Sequence, residues 1–579
     1  MAEASSNPAP PAADPAVDSP AVDAEGAEGE GPSKKALKKA EAKAKKEAEK
    51  ARRAAERAAT AAASAPPPAE DLAKDNYGQE THETKLSDDA TKLNLKTIGE
   101  EHLGKTVQLR AWIQNSRMQG AKMVFVELRP EGNWTIQGIV AANQEGAPVS
   151  KQMVKYCGAI TPESFVVVEA VVQKPLEPVK SCKVSHYELH ITKLYLHAKA
   201  PEMLGMTLAA SNRPVANFSD ESAPVEEGVE KLSIAPAGET AVPAASMLTH
   251  LDCIVMHKRA PVQQAIADIR IAVKDLFREF LKSKGFKEFE APCLIGAASE
   301  GGANVFRLPY FNTEAFLAQS PQFYKQIEIA GGRKRVMCIG PVFRAEQSNT
   351  PRHMTEFTGL DIEMEIDQSY EEVREMLESV LLHIFRGIRE RCAEEVELVR
   401  SVYPSEEFLL PEPGKEVRLT FAEGQKLLRE EGPEEYRNVR DDEDMSTPQE
   451  KALGALIKKK FNTDFYVLDK FPESARPFYA KADERDPSVT NAYDFFMRGQ
   501  EILSGGQRIN DPDELEARIR QKGIDPQSLK EYVDIFRQAG VPAHGGGGIG
   551  LDRVVAWYLQ LPSVHLAAYY PRTPKRLTP

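Results

Sequence analysis

The stretch VFRAEQSNTPRHMTEFTGLDIEMEI, residues 342–366, packs three arginine or histidine residues and five aspartate or glutamate residues into a hydrophobic, strand-like frame. Unpaired charges are costly to bury, so such a stretch is either a solvated hairpin or the wall of a site for a ligand carrying both signs. RVMCIGPVFRAE and TEFTGLDIEMEI read as two strands around the polar loop QSNTPRHM. Alternation puts Cys338, Gly340, Val342, Arg344 and Glu346 on one face of the first, and Phe357, Gly359, Asp361 and Glu363 on one face of the second. An aromatic ring, an arginine, two carboxylates and glycines that admit close approach suit a nucleotide plus an ammonium group.

Two hundred residues on, GGGGIGLDRVVAWYLQL (545–561) matches GxGxxG literally. No βαβ unit follows, and no acidic residue lies about 20 positions further, so the dinucleotide fingerprint fails. No lysine follows Gly550, which removes the phosphate-binding P-loop. What remains is a glycine strand feeding a helix with Leu551, Val554, Val555, Tyr558 and Leu559 inward and Arg553 near its start. A strand without side chains leaves room for a flat ligand, and Arg553 can stack on it or neutralise it.

These segments carry a resemblance. FRAEQSNTPRHMTEFTGLDIEM resembles motif 2 of the class II aminoacyl-tRNA synthetases, GGGGIGLDR motif 3, and the helix and strand ending FKEFEAPCLIG at Pro292 motif 1. GAASEGGANVF, LAQSPQFYKQ, NAYDFFMRGQEILSGGQRI and the tail YYPRTPKRLTP resemble in particular the aspartate-specific members found in eukaryotic cytoplasm. The likeness covers residues 100–200 and 250–579, and SKKALKKAEAK is similar to the lysine-rich extension of that group.

The resemblance implies a role for each matched position. ATP is expected to bind bent, with Arg344 on the α-phosphate, His353 and Arg553 toward the γ-phosphate, Arg352 a further phosphate ligand, and Phe357 under adenine. Arg344, Arg553 and His353 would carry the catalysis. Asp494, Glu501 and Ser504 match the positions that hold Mg2+, a hard cation that takes oxygen ligands and is shared with phosphates. For L-aspartate, Lys325 and Arg508 offer positive charge to the side chain and Asp361 negative charge to the amine; Glu300, Ser320, Gln322 and Ser504 line the same pocket. Loop residues 347–350 would meet the tRNA acceptor end. Phe125 matches an aromatic that stacks an anticodon base, with Arg117, Gln137 and Glu188 as polar readers.

The chain departs from the family pattern in two places. LDCIVMHKR (251–259) stands where relatives read LDxRxxDLR, and in SVHLAAYYPRTPKR (563–576) His565 and Thr573 replace an expected Arg and Asp. The positions matched to the site are unchanged.

The rest of the chain sets the frame. At 579 residues it is too long for one core. Its net charge of −13 argues against nonspecific coating of nucleic acid. Residues 33–60, with 11 Lys or Arg and 4 Glu, form a local basic segment of strong helix formers. That segment is either a phosphate-binding arm or a solubility tail. Residues 1–32, rich in Ala, Pro and Glu, bury too little apolar surface to order themselves. The six cysteines show no CxxC pair and read as reduced thiols. Seven acidic residues and no basic one precede Lys34, and no apolar run approaches 18 residues, so neither a targeting leader nor a membrane span is expected.

Five period-two segments between 100 and 200 predict a small OB-fold barrel, a frequent single-stranded nucleic-acid binder. The expected architecture is α+β. A disordered and lysine-rich helical extension (1–75) precedes the OB-fold barrel (100–200), a linker or insertion (201–250), and a class II catalytic domain on an antiparallel sheet (251–579). The expected activity is activation of L-aspartate by ATP and its transfer to tRNA(Asp), in a cytoplasmic homodimer joined through motif 1. The competing readings are an asparaginyl enzyme, whose neutral substrate would leave Lys325 and Arg508 unmatched, and a noncatalytic tRNA-binding paralogue.

Overall fold

The computed structural model describes residues 71–142, 148–216, 244–300, 304–348 and 350–578. The expectations for the N-terminal extension up to residue 70, for 217–243 of the linker and for Asn349 of the motif 2 loop fall outside the described residues.

Strands β1 (Thr106–Met118), β2 (Met123–Glu131), β3 (Trp134–Ala141), β4 (Phe165–Gln173) and β5 (Val184–Ala198) close into a barrel in the order β5-β3-β2-β1-β4, with β4 pairing back onto β5. The alternating β-branched and aliphatic residues fill it: Val107, Leu109, Ile113, Val126, Val168 and Ile191 are buried. Helix Lys151–Gly158, capped by Ser150 at Met153 N (3.0 Å), adds Met153, Val154 and Cys157. The packing also uses residues ahead of 100. Tyr77–Gln79 lies parallel on Leu194–Leu196, and Ala73, Leu93 and Leu95 join the barrel core. The segment around 201–250 is likewise not wholly irregular, since it contains helices Leu208–Ser211 and Met247–Asp252.

Residues from 254 onward build an eight-stranded sheet. Strands β6 (Lys287–Glu288), β7 (Arg335–Phe343), β8 (Glu356–Glu365), β9 (Val417–Thr420), β10 (Phe465–Asp469), β11 (Ala492–Met497), β12 (Gln500–Gln507) and β13 (His544–Gly550) lie in the order β9-β10-β11-β12-β13-β8-β7-β6. Pairing is antiparallel from β10 to β7, and each edge strand is added in parallel. Helices α1 (Pro261–Ser283) and α3 (Glu371–Arg391) bury their apolar stripes beneath it, with Ile266, Ile269, Val273 and Phe277 in one core with Leu381, Ile384 and Phe385. Helix α4 (Leu551–Tyr558) follows β13 directly and buries Leu551, Val554, Val555 and Tyr558, as its sequence pattern predicts. The other face of the sheet is left to a cavity.

A buried ion triad ties the barrel to this unit. Glu163 accepts from Arg129 (2.7 Å) within the barrel and from Arg259 (2.8 Å) at the end of helix Ile254–Arg259. Among the described residues all six cysteines are free thiols, and no helix is long and apolar enough to cross a membrane.

Candidate active site

Strands β7 and β8 pair with Val342 opposite Phe357, Gly340 opposite Gly359 and Cys338 opposite Asp361. The charged hairpin is therefore a wall of a site and not a solvated ribbon. It bounds a cavity of about 340 Å³ lined by both motif faces, helix α2 (Gln322–Ala330) and strands β12 and β13. Of the residues singled out in the sequence for ATP, aspartate and metal, all but Asp494 line it.

One end of the cavity is a buried ion quartet. Lys325 Nζ lies 2.9 Å from Asp361 Oδ1 and 3.6 Å from Glu363 Oε2. Arg508 donates through Nε to Glu363 Oε1 (2.9 Å) and through Nη2 to Oε2 (3.2 Å). Burial alone would push the Glu363 carboxyl up, but Arg508 and then Lys325 outweigh it and hold the group below the ordinary carboxylate range. Alternation had placed Glu363 on the site face of its strand, but the sequence assigned it no individual role. Two of the five N–H donors of Arg508 are committed to Glu363, which leaves the others for a ligand carboxylate. The glycines of β13 are required here, because a Cβ at Gly546 would stand 2.2 Å from Glu363 Oε2 and 2.0 Å from the Ile362 carbonyl oxygen.

A hydrogen-bond relay orients the neighbouring amide. His544 holds the Pro542 carbonyl through Nδ1 (2.8 Å), so its Nε2 accepts from Gln326 Nε2 (2.8 Å). Gln326 Oε1 then accepts from Tyr532 (2.7 Å) and from Gln322 Nε2 (2.9 Å). The Gln322 carbonyl oxygen is thereby turned toward the cavity, as an acceptor for an ammonium group. Glu300 is held from both sides, by Ser320 Oγ (2.6 Å) and by the Tyr479 hydroxyl (2.5 Å). Gln326, His544 and Tyr479 received no role from sequence, although Gln326 ends the segment LAQSPQFYKQ and His544 directly precedes GGGGIGLDR, because their partners are set only by the fold.

The other end is cationic. Arg344 sits 5.5 Å from the Phe357 ring centroid, and Arg553 donates to the Glu501 carbonyl (3.1 Å) with the Glu501 carboxylate at 3.5 Å. The His353 ring contacts Thr350 Oγ1 (2.6 Å); burial, aided by Arg553, lowers its pKa, so the ring is neutral near pH 7. His565, one of the departures from the family pattern, donates from Nε2 to the His353 carbonyl (3.0 Å) and so anchors the motif 2 loop. Arg352 lines the same cationic end, with its guanidinium already engaged by protein partners. Its guanidinium binds Glu450 (3.0 Å) and Thr447 on helix Thr447–Phe461.

Asp494 and Ser504 are register partners on β11 and β12, but Arg476 spans them, bidentate to Asp494 (3.0 and 2.6 Å) and 2.9 Å from Ser504 Oγ. Arg476 lies in a stretch without periodicity and carried no sequence signal. Asp494 lines an adjoining small cavity with Glu450, Arg476 and Glu501. Burial raises its pKa, Arg476 opposes this, and Glu501 adds to it. Among the described residues no three His, Cys, Asp or Glu side chains converge as a metal cage. Two carboxylates and a hydroxyl fit a hard cation that takes its remaining oxygens from phosphates and water.

On the barrel, Arg117 lies over Phe125 at 5.4 Å, and Gln137 Nε2 donates to Glu188 Oε2 (3.0 Å). The four residues expected to read an anticodon therefore share the outer face.

An antiparallel sheet with motif 2 and motif 3 strands side by side, and an arginine from each in one cavity, is the architecture of a class II synthetase. The family of class II tRNA synthetases (D, K and N) matches residues 246–574, and the chain belongs to it. A cytoplasmic aspartate–tRNA ligase of Rattus norvegicus is 43% identical over 513 residues, covering 88% of this chain and 96% of the rat protein. A putative aspartyl-tRNA synthetase from Leishmania major superposes with a TM-score of 0.76 at 35% identity, covering 87% of this chain and 98% of the other. An asparaginyl-tRNA synthetase from Pyrococcus horikoshii, solved with asparaginyl-adenylate, reaches a TM-score of 0.68 at 28% identity, covering 84% of this chain and all of the other (100%).

Proposed function

We infer that the chain is an aspartate–tRNA ligase of the cytoplasm, which activates L-aspartate with ATP to aspartyl-adenylate and transfers the aspartyl group to the 3′ end of tRNA(Asp). The observation that carries this reading is the ion quartet. Arg508 and Lys325 are buried beside one another with donors to spare, an environment that suits a side-chain carboxylate and mismatches the neutral amide of asparagine. Asp361 and the Gln322 carbonyl receive the substrate ammonium. The Glu300–Ser320 pair closes over it.

The substrate α-carboxylate attacks the α-phosphorus in line, and pyrophosphate leaves. Arg344 neutralises charge that develops on the α-phosphoryl oxygens. Arg553 and His353 hold the leaving end, and Phe357 supports adenine. No residue needs to act as a nucleophile, so the site works by positioning and electrostatics. Glu501, Asp494 and Ser504 would hold Mg2+ once Arg476 moves off Asp494, and the ion would offset phosphate charge. The 3′-terminal ribose hydroxyl of the tRNA then attacks the mixed anhydride and releases AMP.

The strand order of the barrel is that of an OB-fold, and its outer face binds the anticodon, with Phe125 stacking one base and Arg117, Gln137 and Glu188 contacting others. The enzyme is a homodimer through motif 1. That region leaves the two-residue edge strand β6 open to pairing and Ile271 of helix α1 exposed.

ATP–pyrophosphate exchange with individual amino acids tests this reading. Exchange driven by aspartate is expected. Exchange driven by asparagine in its place would overturn the specificity, and none with any amino acid would favour a noncatalytic paralogue.

A further inference from the structure

The outer face of the barrel carries two rows of cross-strand partners. In one, Phe125 is in register with Ile139 and Ile139 with His190; in the next, Glu127 is in register with Gln137 and Gln137 with Glu188. The intervening residues, such as Val126 and Leu189, face the core, so the two rows stand side by side on one surface. Two carboxylates on a face that meets RNA repel its phosphates. They suit base edges instead, where a carboxylate accepts from amino and imino groups.

Glu188 is nearly buried, at 7% exposure, and both of its oxygens are engaged. Gln137 Nε2 donates to Oε2 at 3.0 Å, and the His190 ring contacts Oε1 through Nε2, also at 3.0 Å. A carboxylate can only accept, so the His190 Nε2 carries the proton. The carboxylate is thus clamped from two neighbouring positions, with its plane fixed and one lone-pair direction on each oxygen still unused.

We propose that His190 is a positioning residue for anticodon reading, holding the Glu188 carboxylate in the orientation that accepts from a base presenting N–H donors. This rests on the reading of the barrel face as the anticodon site. The base favoured is one with an amino or imino donor on its pairing edge; an edge that presents only carbonyl oxygen opposite Glu188 is refused, since two acceptors would then face each other.

The test is aminoacylation of tRNA(Asp) transcripts, the parent and single anticodon substitutions, by His190→Ala and His190→Gln enzymes, with ATP–pyrophosphate exchange measured alongside. His190→Ala is expected to raise the KM for tRNA by about tenfold and to narrow the preference for the parent anticodon, through loss of a hydrogen bond to a charged group. His190→Gln, which keeps a donor, is expected to recover most of both, and exchange is expected to stay at the parent rate in each variant. A His190→Ala enzyme with unchanged KM and preference, while Phe125→Ala and Gln137→Ala impair both, overturns the role of His190 and leaves the anticodon reading standing. If none of these variants alters tRNA charging, the anticodon reading falls and this inference with it. Loss of exchange in His190→Ala, or failure of His190→Gln to recover, marks His190 as a structural residue and also overturns the proposal.

Discussion

Arg508 and Glu363 meet in parallel, Nε to Oε1 at 2.9 Å and Nη2 to Oε2 at 3.2 Å, both buried and 145 residues apart in the chain. The pairing pre-orients the guanidinium and leaves Nη1 and one Nη2 hydrogen unengaged by Glu363. An arginine so held binds a second carboxylate without first losing the freedom of its long side chain.

Arg508→Leu is therefore expected to cost about 2 to 5 kcal/mol in aspartate activation while leaving the KM for ATP within a small factor of the parent, through loss of a charge-assisted contact. Pyrophosphate exchange at varied aspartate measures it. Parent-like activation would remove Arg508 from the substrate pocket.

Glu363→Gln acts on the other partner. It keeps the shape but leaves Arg508 and Lys325 sharing the single charge of Asp361, and an uncompensated buried charge destabilises by about 3 to 5 kcal/mol. The thermal midpoint is expected to fall well below that of the parent; equal melting curves would show that the charge of Glu363 contributes little to the fold.

Phe357→Ala removes the ring that Arg344 overlies at 5.5 Å. Base stacking on an aromatic contributes about 1 to 3 kcal/mol, and the expected result is a raised KM for ATP with aspartate binding little changed. An unaltered response to ATP would assign Phe357 to packing alone.

His565→Ala deletes the donor to the His353 carbonyl. One net hydrogen bond of about 1 kcal/mol corresponds to about a fivefold rise in the KM for ATP, transmitted through a looser motif 2 loop. Kinetics of the variant at saturating aspartate check it, and no change would mean that the loop is anchored elsewhere.

Acid should loosen the start of the catalytic unit. His250 and His257 are buried with their Nδ1 atoms 3.0 Å apart, so one donates and the other accepts, and a second proton would set two N–H groups against each other. Burial, then His250 and Lys258, lower the pKa of His257 from 6.5 to about 3. With the folded value below the unfolded one, the stabilisation is complete above pH 6.5 and is lost as pH falls toward 3, by up to about 1.4 kcal/mol per unit for this group. The thermal midpoint is expected to drop between pH 7.5 and 5.5, and by less in His257→Gln. Equal slopes in the two proteins would place the acid sensitivity at other groups.

The sequence by itself determined the local order of the site. Period-two alternation aligned Val342 and Arg344 on one strand with Phe357, Gly359 and Asp361 on the next, and the cavity is lined by these same residues, because a strand's faces are fixed by its own pleat. The glycine strand and the apolar stripe of α4 were legible for the same reason. Partners and exceptions to the period were decided by the tertiary structure. Nothing near Glu363 in the chain announces Arg508, and nothing near Asp494 announces Arg476, since a buried charge is satisfied by whatever the fold brings to it. In the barrel, strict alternation would send Arg117 inward with Leu109 and Ile113. An extra residue at Gln114 interrupts the register between Ile113, which pairs with Leu128, and Asn115, which pairs with Glu127. That bulge turns Arg117 outward to Phe125. It depends on how two strands meet, which one strand's sequence does not encode.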